Sequence, residues 1–201
     1  FTEKHWNTES NLKHQAYSYS KTVAEQEAWK MAEEQNQWDL LTINPGFVLG
    51  PAHTKRTDST SIDFMISMLS GKYKTGFPDL YFGFVDVRDV ARAHIKAGFT
   101  PGASGRHIVV SENMGAADAA AILRKHYGEK YPLPKKSLPK FLLYLFGPAQ
   151  GFSWKFINRN VGIPVKMDNS YAKKDLQMEF TPIEQTMQDH VAQLEKDGLV
   201  N

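Results

Sequence analysis

From Thr22 to Gln37 the chain reads TVAEQEAWKMAEEQNQ, and it then runs straight into the apolar segment WDLLTI at 38–43. The first stretch is dense in good helix formers and has neither Gly nor Pro, so its spacing predicts a helix. The second is short and apolar and ends in NPGFVLGP, which predicts a buried strand followed by a loop with Pro and Gly at both ends. No other feature constrains the fold as strongly. A helix feeding a strand of this kind belongs to a parallel α/β layer.

The rest of the chain keeps that pattern. Residues 52–61, AHTKRTDSTS, read as a polar loop, and SIDFMISMLSG after them has helical periodicity closed by Gly71. YFGFVDV at 81–87 predicts a strand, RDVARAHIKAG a helix ended by Gly98, RHIVV at 106–110 a further strand and AADAAAILRKHYG a further helix. From Tyr131 to Pro164 proline and aromatics predict irregular packing around a hydrophobic helix. A last helix is expected at TPIE, with Thr181 as cap, Pro182 at the first helical position and Glu184 closing a capping box, stopping at Gly198. There is no internal repeat and no low-complexity segment.

Composition narrows the function classes. With 41% apolar, 12% aromatic and 23% charged residues, the 201-residue chain is globular and long enough for one well-cored domain or two small ones. A net charge of +2, with lysines scattered rather than striped, argues against nucleic acid and an anionic membrane as partners. The longest apolar run, FLLYLF at 141–146, is far short of the roughly 20 residues of a spanning helix. The absence of cysteine excludes a thiolate site and suits a reducing cytosol, so a soluble cytoplasmic protein is expected. Seven histidines without ligand spacing give no metal site.

The chemistry-bearing candidate is YSYSK at 17–21, where Tyr17 and Lys21 stand one helical turn apart. Chance alone supplies roughly 0.7 Tyr-x-x-x-Lys matches in a chain of this composition, so spacing by itself says little. A second match, Tyr131 to Lys135, contains Pro132 and Pro134, which forbid the helix that would give the spacing a meaning. Tyr17 and Lys21 instead continue into Ala24, Ala28 and Met31, a stripe expected to face the interior. A phenol is a poor acid at neutral pH, but a nearby ammonium favours the phenolate, and such a tyrosine can protonate a carbonyl oxygen as negative charge develops there. In FVDVRDVARAHIKA, Asp86, Arg88 and Asp89 read as an ion-pair network at a strand-to-helix corner.

YSYSKTVAEQEAW, then NPGFVLGP, FVDVRDVARAHIKA and GRHIVVSE, in that order, resemble the extended short-chain dehydrogenase/reductases. The branch most similar contains dihydroflavonol reductases and cinnamoyl-CoA reductases, and the tail DNSYAKKDL to FTPIEQTMQD fits it as well. The resemblance implies that Tyr17 is the catalytic acid and that Lys21 activates it and bonds the nicotinamide ribose. Pro45, Gly46, Phe47 and Val48 would line the nicotinamide end of a bound NADP or NAD. A loop after a parallel strand is where α/β folds bind ligands, and Pro-Gly lets backbone approach a flat ring. The implied partner is a small-molecule carbonyl substrate, and TDSTS at 57–61 supplies hydroxyls near where such enzymes admit it.

One motif of that family is missing: no G-x-x-G-x-x-G or G-x-G-x-x-G occurs in these residues. That turn and the catalytic serine are expected before Phe1, since Ser18 and Ser20 point away from Tyr17 around the helix. The expectation is therefore α/β, the C-terminal portion of a Rossmann-like parallel sheet plus a smaller α/β substrate domain. Residues 1–50, with elements from 82–110, would belong to the dinucleotide side and 51–201 mainly to the substrate side. A separate N-terminal segment or another copy of the chain would complete it. The alternatives are a nucleotide-sugar epimerase or dehydratase, which uses the same tyrosine and lysine, and a non-catalytic sensor of nucleotide or protein. Phe77, Tyr81 and Phe82 lean away from a sugar diphosphate.

Overall fold

The computed structural model describes residues 1–55 and 57–200; Arg56, in the predicted polar loop, lies outside the described residues. Helix α1 (Ala16–Glu33) is followed by β1 (Leu41–Pro45) and β2 (Phe47–Leu49), a single extended run broken at Gly46. Next come α2 (Thr60–Leu69), β3 (Phe77–Pro78), β4 (Tyr81–Asp86), α3 (Val87–Phe99), β5 (Gly105–Val109), β6 (Glu112–Gly115) and α4 (Ala116–Tyr127). The chain ends with β7 (Ser137–Leu138), α5 (Lys140–Phe146), α6 (Trp154–Asn160), α7 (Ser170–Asp175) and α8 (Ile183–Lys196). No helix among the described residues is long and apolar enough to cross a membrane.

Strand pairing follows the expected α/β logic. β1 runs parallel to β5, with Leu41 opposite Gly105 and Pro45 opposite Val109. β2 runs parallel to β4, reached through the α2 crossover, and β4 pairs antiparallel with β6. The predicted NPG loop is instead strand on both sides of one residue. Pro45, with no N–H to give, ends the β5 ladder, the Gly46 N–H donates to Val109 O at 3.1 Å, and Phe47 opens the β4 ladder. A Cβ on Gly46 would stand 2.0 Å from the Gly83 carbonyl oxygen, so the run can change partner there only through a residue without a side chain.

One apolar core lies among α2, α4, α8 and the β2–β4 strands, where Leu49, Met65, Met68, Phe84, Leu123 and Met187 are all fully buried. Val85, Val109, Ala93 and Leu176 form a second on the other side, against α3 and α7. Of the predicted network at the β4–α3 corner, Asp86 and Arg88 pair, whereas Asp89 turns to Arg92 instead. Asp86, fully buried, caps α3 by accepting from the Arg88 N–H at 2.7 Å and binds the Arg88 guanidinium through both oxygens at 2.9 and 2.7 Å; Arg88 continues to Asp189 on α8 at 2.7 Å. Burial pushes the Asp86 carboxyl up, but the Arg88 bonds outweigh it and hold it below the usual range.

Several helix boundaries differ from the sequence expectation, among them the end of α1 at Glu33 rather than Gln37. α1 starts at Ala16 rather than Thr22, and α3 runs through Gly98 to Phe99. At α8 the capping box does not form, because Pro182 itself is the cap residue and Thr181 is drawn aside by buried Asp89, giving it both its N–H and its hydroxyl at 2.7 and 3.0 Å. Glu112 from β6 takes the Ile183 N–H at 3.2 Å in its place.

His190 on α8 is 1% exposed, and its Nδ1 accepts the Gly50 N–H at 3.2 Å. Burial lowers its pKa from 6.5 to about 4, with the Asp86 charge opposing. The unfolded chain therefore holds this proton between pH 6.5 and 4 while the folded one does not, so stability falls as pH drops through that window. Urea unfolding should show the native state weaker at pH 4.5 than at pH 7. His190→Gln should narrow that gap by about 2 kcal/mol; an unchanged gap would contradict the buried neutral imidazole.

Candidate active site

The segment before α1 sets up its first turn. Asn11 and His14 exchange backbone hydrogen bonds at 2.9 and 3.0 Å, and Gln15 adopts a left-handed conformation (φ 54°) that turns the chain into the helix two residues before Tyr17. Tyr17 and Lys21 then project from one side of α1, with the Lys21 Nζ 5.8 Å from the centre of the Tyr17 ring. Both line an open groove of about 780 Å3, whose opposite wall is the β1 end and the partner switch: Thr42, Asn44, Pro45, Gly46 and Val48.

Of the residues singled out in the sequence, the fold brings Tyr17, Lys21, Pro45, Gly46 and Val48 to this groove. Phe47 is not brought to it. Strand alternation turns its ring to the other face, where it packs on Phe82, Phe64 and Phe84 at 5.1, 5.2 and 5.8 Å between centroids. Phe77 is likewise core, 4.5 Å from the Tyr73 ring, and Ser59 and Ser61 bond each other at the start of α2. The stripe expected to face inward is overturned: Tyr17 is 75% and Met31 58% exposed, and no residue of α1 is fully buried. The half-buried face runs through Ser18, Thr22, Glu25, Trp29 and Ala32 instead.

That face is held by polar contacts which the sequence reading missed. Glu25 accepts from Arg106 Nε at 2.7 Å, Arg106 NH2 at 3.2 Å, Thr42 Oγ1 at 2.9 Å and Asn44 Nδ2 at 3.0 Å. Burial raises the Glu25 pKa, but these donors outweigh it and the carboxyl sits below its ordinary range. The available signal was the alternation inside LTIN, which puts Thr42 and Asn44 on one face of a strand taken as uniformly apolar. Beyond Asn44 and Pro45 a second pocket of about 490 Å3 opens, walled by Trp6, His14, Arg106 and Met167. Among the described residues no group of three or more His, Cys, Asp or Glu is arranged to hold a metal ion.

Residues 3–111, which include α1, the partner switch and β5, match the NAD dependent epimerase/dehydratase family. The chain belongs to that family. It is 34% identical to cinnamoyl-CoA reductase 2 of Medicago truncatula over 98% of this chain and 52% of that protein. It is 29% identical to the NADPH-dependent methylglyoxal reductase GRE2 of Saccharomyces cerevisiae, over 98% of this chain and 57% of that protein. The crystal structure of Gre2 from Candida albicans in complex with NADPH superposes with a TM-score of 0.74 at 27% identity, covering 98% of this chain and 57% of that one. The mixed α/β architecture with parallel strands is thus the Rossmann-like fold of these reductases. The chain spans about half the length of the curated relatives it matches.

Proposed function

We propose that the complete protein is an NADPH-dependent reductase of small carbonyl compounds, with Tyr17 as the proton donor. The observation that carries this reading is that Tyr17 and Lys21 face one groove together with Pro45 and Gly46. These residues fit a nicotinamide end: a phenol and an ammonium on one wall, and on the other the extended backbone where β1 passes into β2 at Pro45 and Gly46. When bound, the nicotinamide supplies a hydride to the carbonyl carbon.

The chain's own residues account for the other half of the addition. As the carbon–oxygen double bond opens, negative charge gathers on the oxygen, and the Tyr17 hydroxyl gives it a proton, leaving an alcohol and a tyrosinate. Lys21, one turn along α1, favours that tyrosinate by its charge. Solvent returns the proton through the open side of the groove. Residues 1–50 with 82–110 form the nucleotide side and 51–201 mainly the substrate side; the β1–β5 pairing, both strands of which lie in the first group, supports this division. The names of the relatives support NADPH over NADH and reduction of a carbonyl group over a sugar nucleotide.

The test is consumption of NADPH by the complete protein with small aldehydes and ketones of the cinnamoyl, dihydroflavonol and methylglyoxal types. A reductase forms NADP+ and alcohol in equal amounts. An epimerase hands its cofactor back unchanged, and a sensor turns nothing over.

A further inference from the structure

We infer that Glu25 and Arg106 are a positioning pair: they fix the height and rotation of α1 over the β1 end, and so set where Tyr17 and Lys21 stand relative to Gly46. The inference rests on the reading of Tyr17 and Lys21 given above. It starts from an imbalance in how α1 is held. Layer helices ordinarily dock through an apolar stripe, yet α1 buries no residue fully and leaves Val23, Met31 and Tyr17 exposed. At the middle of the face it turns to the sheet, between Ser18 and Thr22 on one side and Trp29 and Ala32 on the other, stands a carboxylate.

The sheet is built to receive it. Thr42 and Arg106 are register partners on β1 and β5, and Asn44 stands two residues beyond Thr42, so alternation puts all three on one face. Each gives hydrogen to Glu25, and together they use both carboxylate oxygens: Oε1 takes Thr42 and Arg106 Nε, while Oε2 takes Asn44 and Arg106 NH2. The bidentate fork fixes orientation as well as distance. Side-chain exposure is 14% for Glu25 and 18% for Arg106, so water competes little for these donors.

Arg106 is held from its other side as well. It donates to the carbonyls of Glu3 and, at 3.1 Å, of His5, and its guanidinium lies 3.9 Å from the Trp6 ring centre. One guanidinium, carried by β5, thus ties two pieces to its own strand: the helix that carries the proton donor and the N-terminal segment that walls the neighbouring pocket. Glu25 lies one turn after Lys21 and two after Tyr17 on a rigid helix, so any rotation of α1 at Glu25 is carried to both.

Two readouts test this. On the 201-residue chain, hydrogen exchange of Glu25→Gln should show the α1 amides losing protection by about tenfold or more while α8 keeps its own. Unchanged α1 protection overturns the proposal. In the complete protein the same substitution should lower kcat by about a hundredfold and also raise the KM for NADPH, since Tyr17 and Lys21 move together and a misplacement of about 1 Å is enough for such a loss. Arg106→Lys, which keeps the charge but not the fork, should fall between. A merely structural pair would lower the melting temperature and leave kcat per folded molecule unmoved, and that outcome also overturns it. Should Glu25→Gln fail to fold, Thr42→Val removes one donor at constant shape and should give the same signs at smaller size. The exchange measurement needs no turnover: lost α1 protection in a protein that reduces nothing would refute the reductase reading, not the tie between helix and sheet.

Discussion

Tyr17→Phe in the complete protein should lower kcat by about a hundred- to ten-thousand-fold while NADPH affinity stays nearly constant. The ring that borders the groove is retained and only the proton donor leaves. The substitution removes one hydroxyl oxygen and no carbon, so the fold should tolerate it. Lys21→Ala should damage both turnover and cofactor affinity, because that ammonium is assigned to the tyrosinate and to the nicotinamide ribose. Steady-state kinetics separate the two cases. A Tyr17→Phe protein that keeps more than half of its rate would refute the role.

Gly46→Ala should be the most damaging single methyl group in the chain. Its Cβ would meet Gly83 O at 2.0 Å, and Gly83 C and Val110 Cγ2 at 2.9 Å. A backbone carbonyl cannot rotate away as a side-chain tip can, so β2 must part from β4 or β1 from β5. Overpacking of this kind costs about 3 kcal/mol or more. In a chain of this size that lowers the melting temperature by about 6–12 °C. Gly98 supplies the control: it lies within α3 with nothing inside 4 Å of an added Cβ, so Gly98→Ala should stabilise by about 0.4–1 kcal/mol. Melting curves of the two variants moving together would show that the close approach at Gly46 is not what holds the partner switch.

Much of the layer order was legible because periodicity survives in single elements. The strand at 81–87 and the Asp86–Arg88 corner lie within a residue of expectation, and the helix running into WDLLTI is present, although it spans Ala16–Glu33 rather than Thr22 to Gln37. What was not legible depends on partners distant in sequence. NPG reads as a turn by local chemistry, and only the approach of Gly83 shows why strand continues on both sides of Gly46. Thr181 reads as a cap until Asp89, buried on α3, claims its N–H and hydroxyl. The inward stripe of α1 failed for a related reason. The sequence marks apolar residues, whereas this helix docks by a carboxylate whose donors come from β1 and from Arg106, 81 residues away. At the groove the Tyr17–Lys21 spacing and the nearness of Pro45 and Gly46 were readable from motif order, while the extended course of NPG and the orientation of Phe47 needed the β2–β4 register.

The central claim is that the groove between α1 and Gly46 is where a nicotinamide hydride and the Tyr17 proton meet across a carbonyl group. Its most direct test is to run the reduction in the complete protein with NADPH carrying deuterium at the transferred position and to locate the label in the product. The account predicts one deuterium on the carbinol carbon for each NADP+ formed, with the transfer lost in Tyr17→Phe. A folded, NADPH-binding protein that yields no labelled alcohol from any of the carbonyl classes, or that gives labelled alcohol equally well without the Tyr17 hydroxyl, would contradict it.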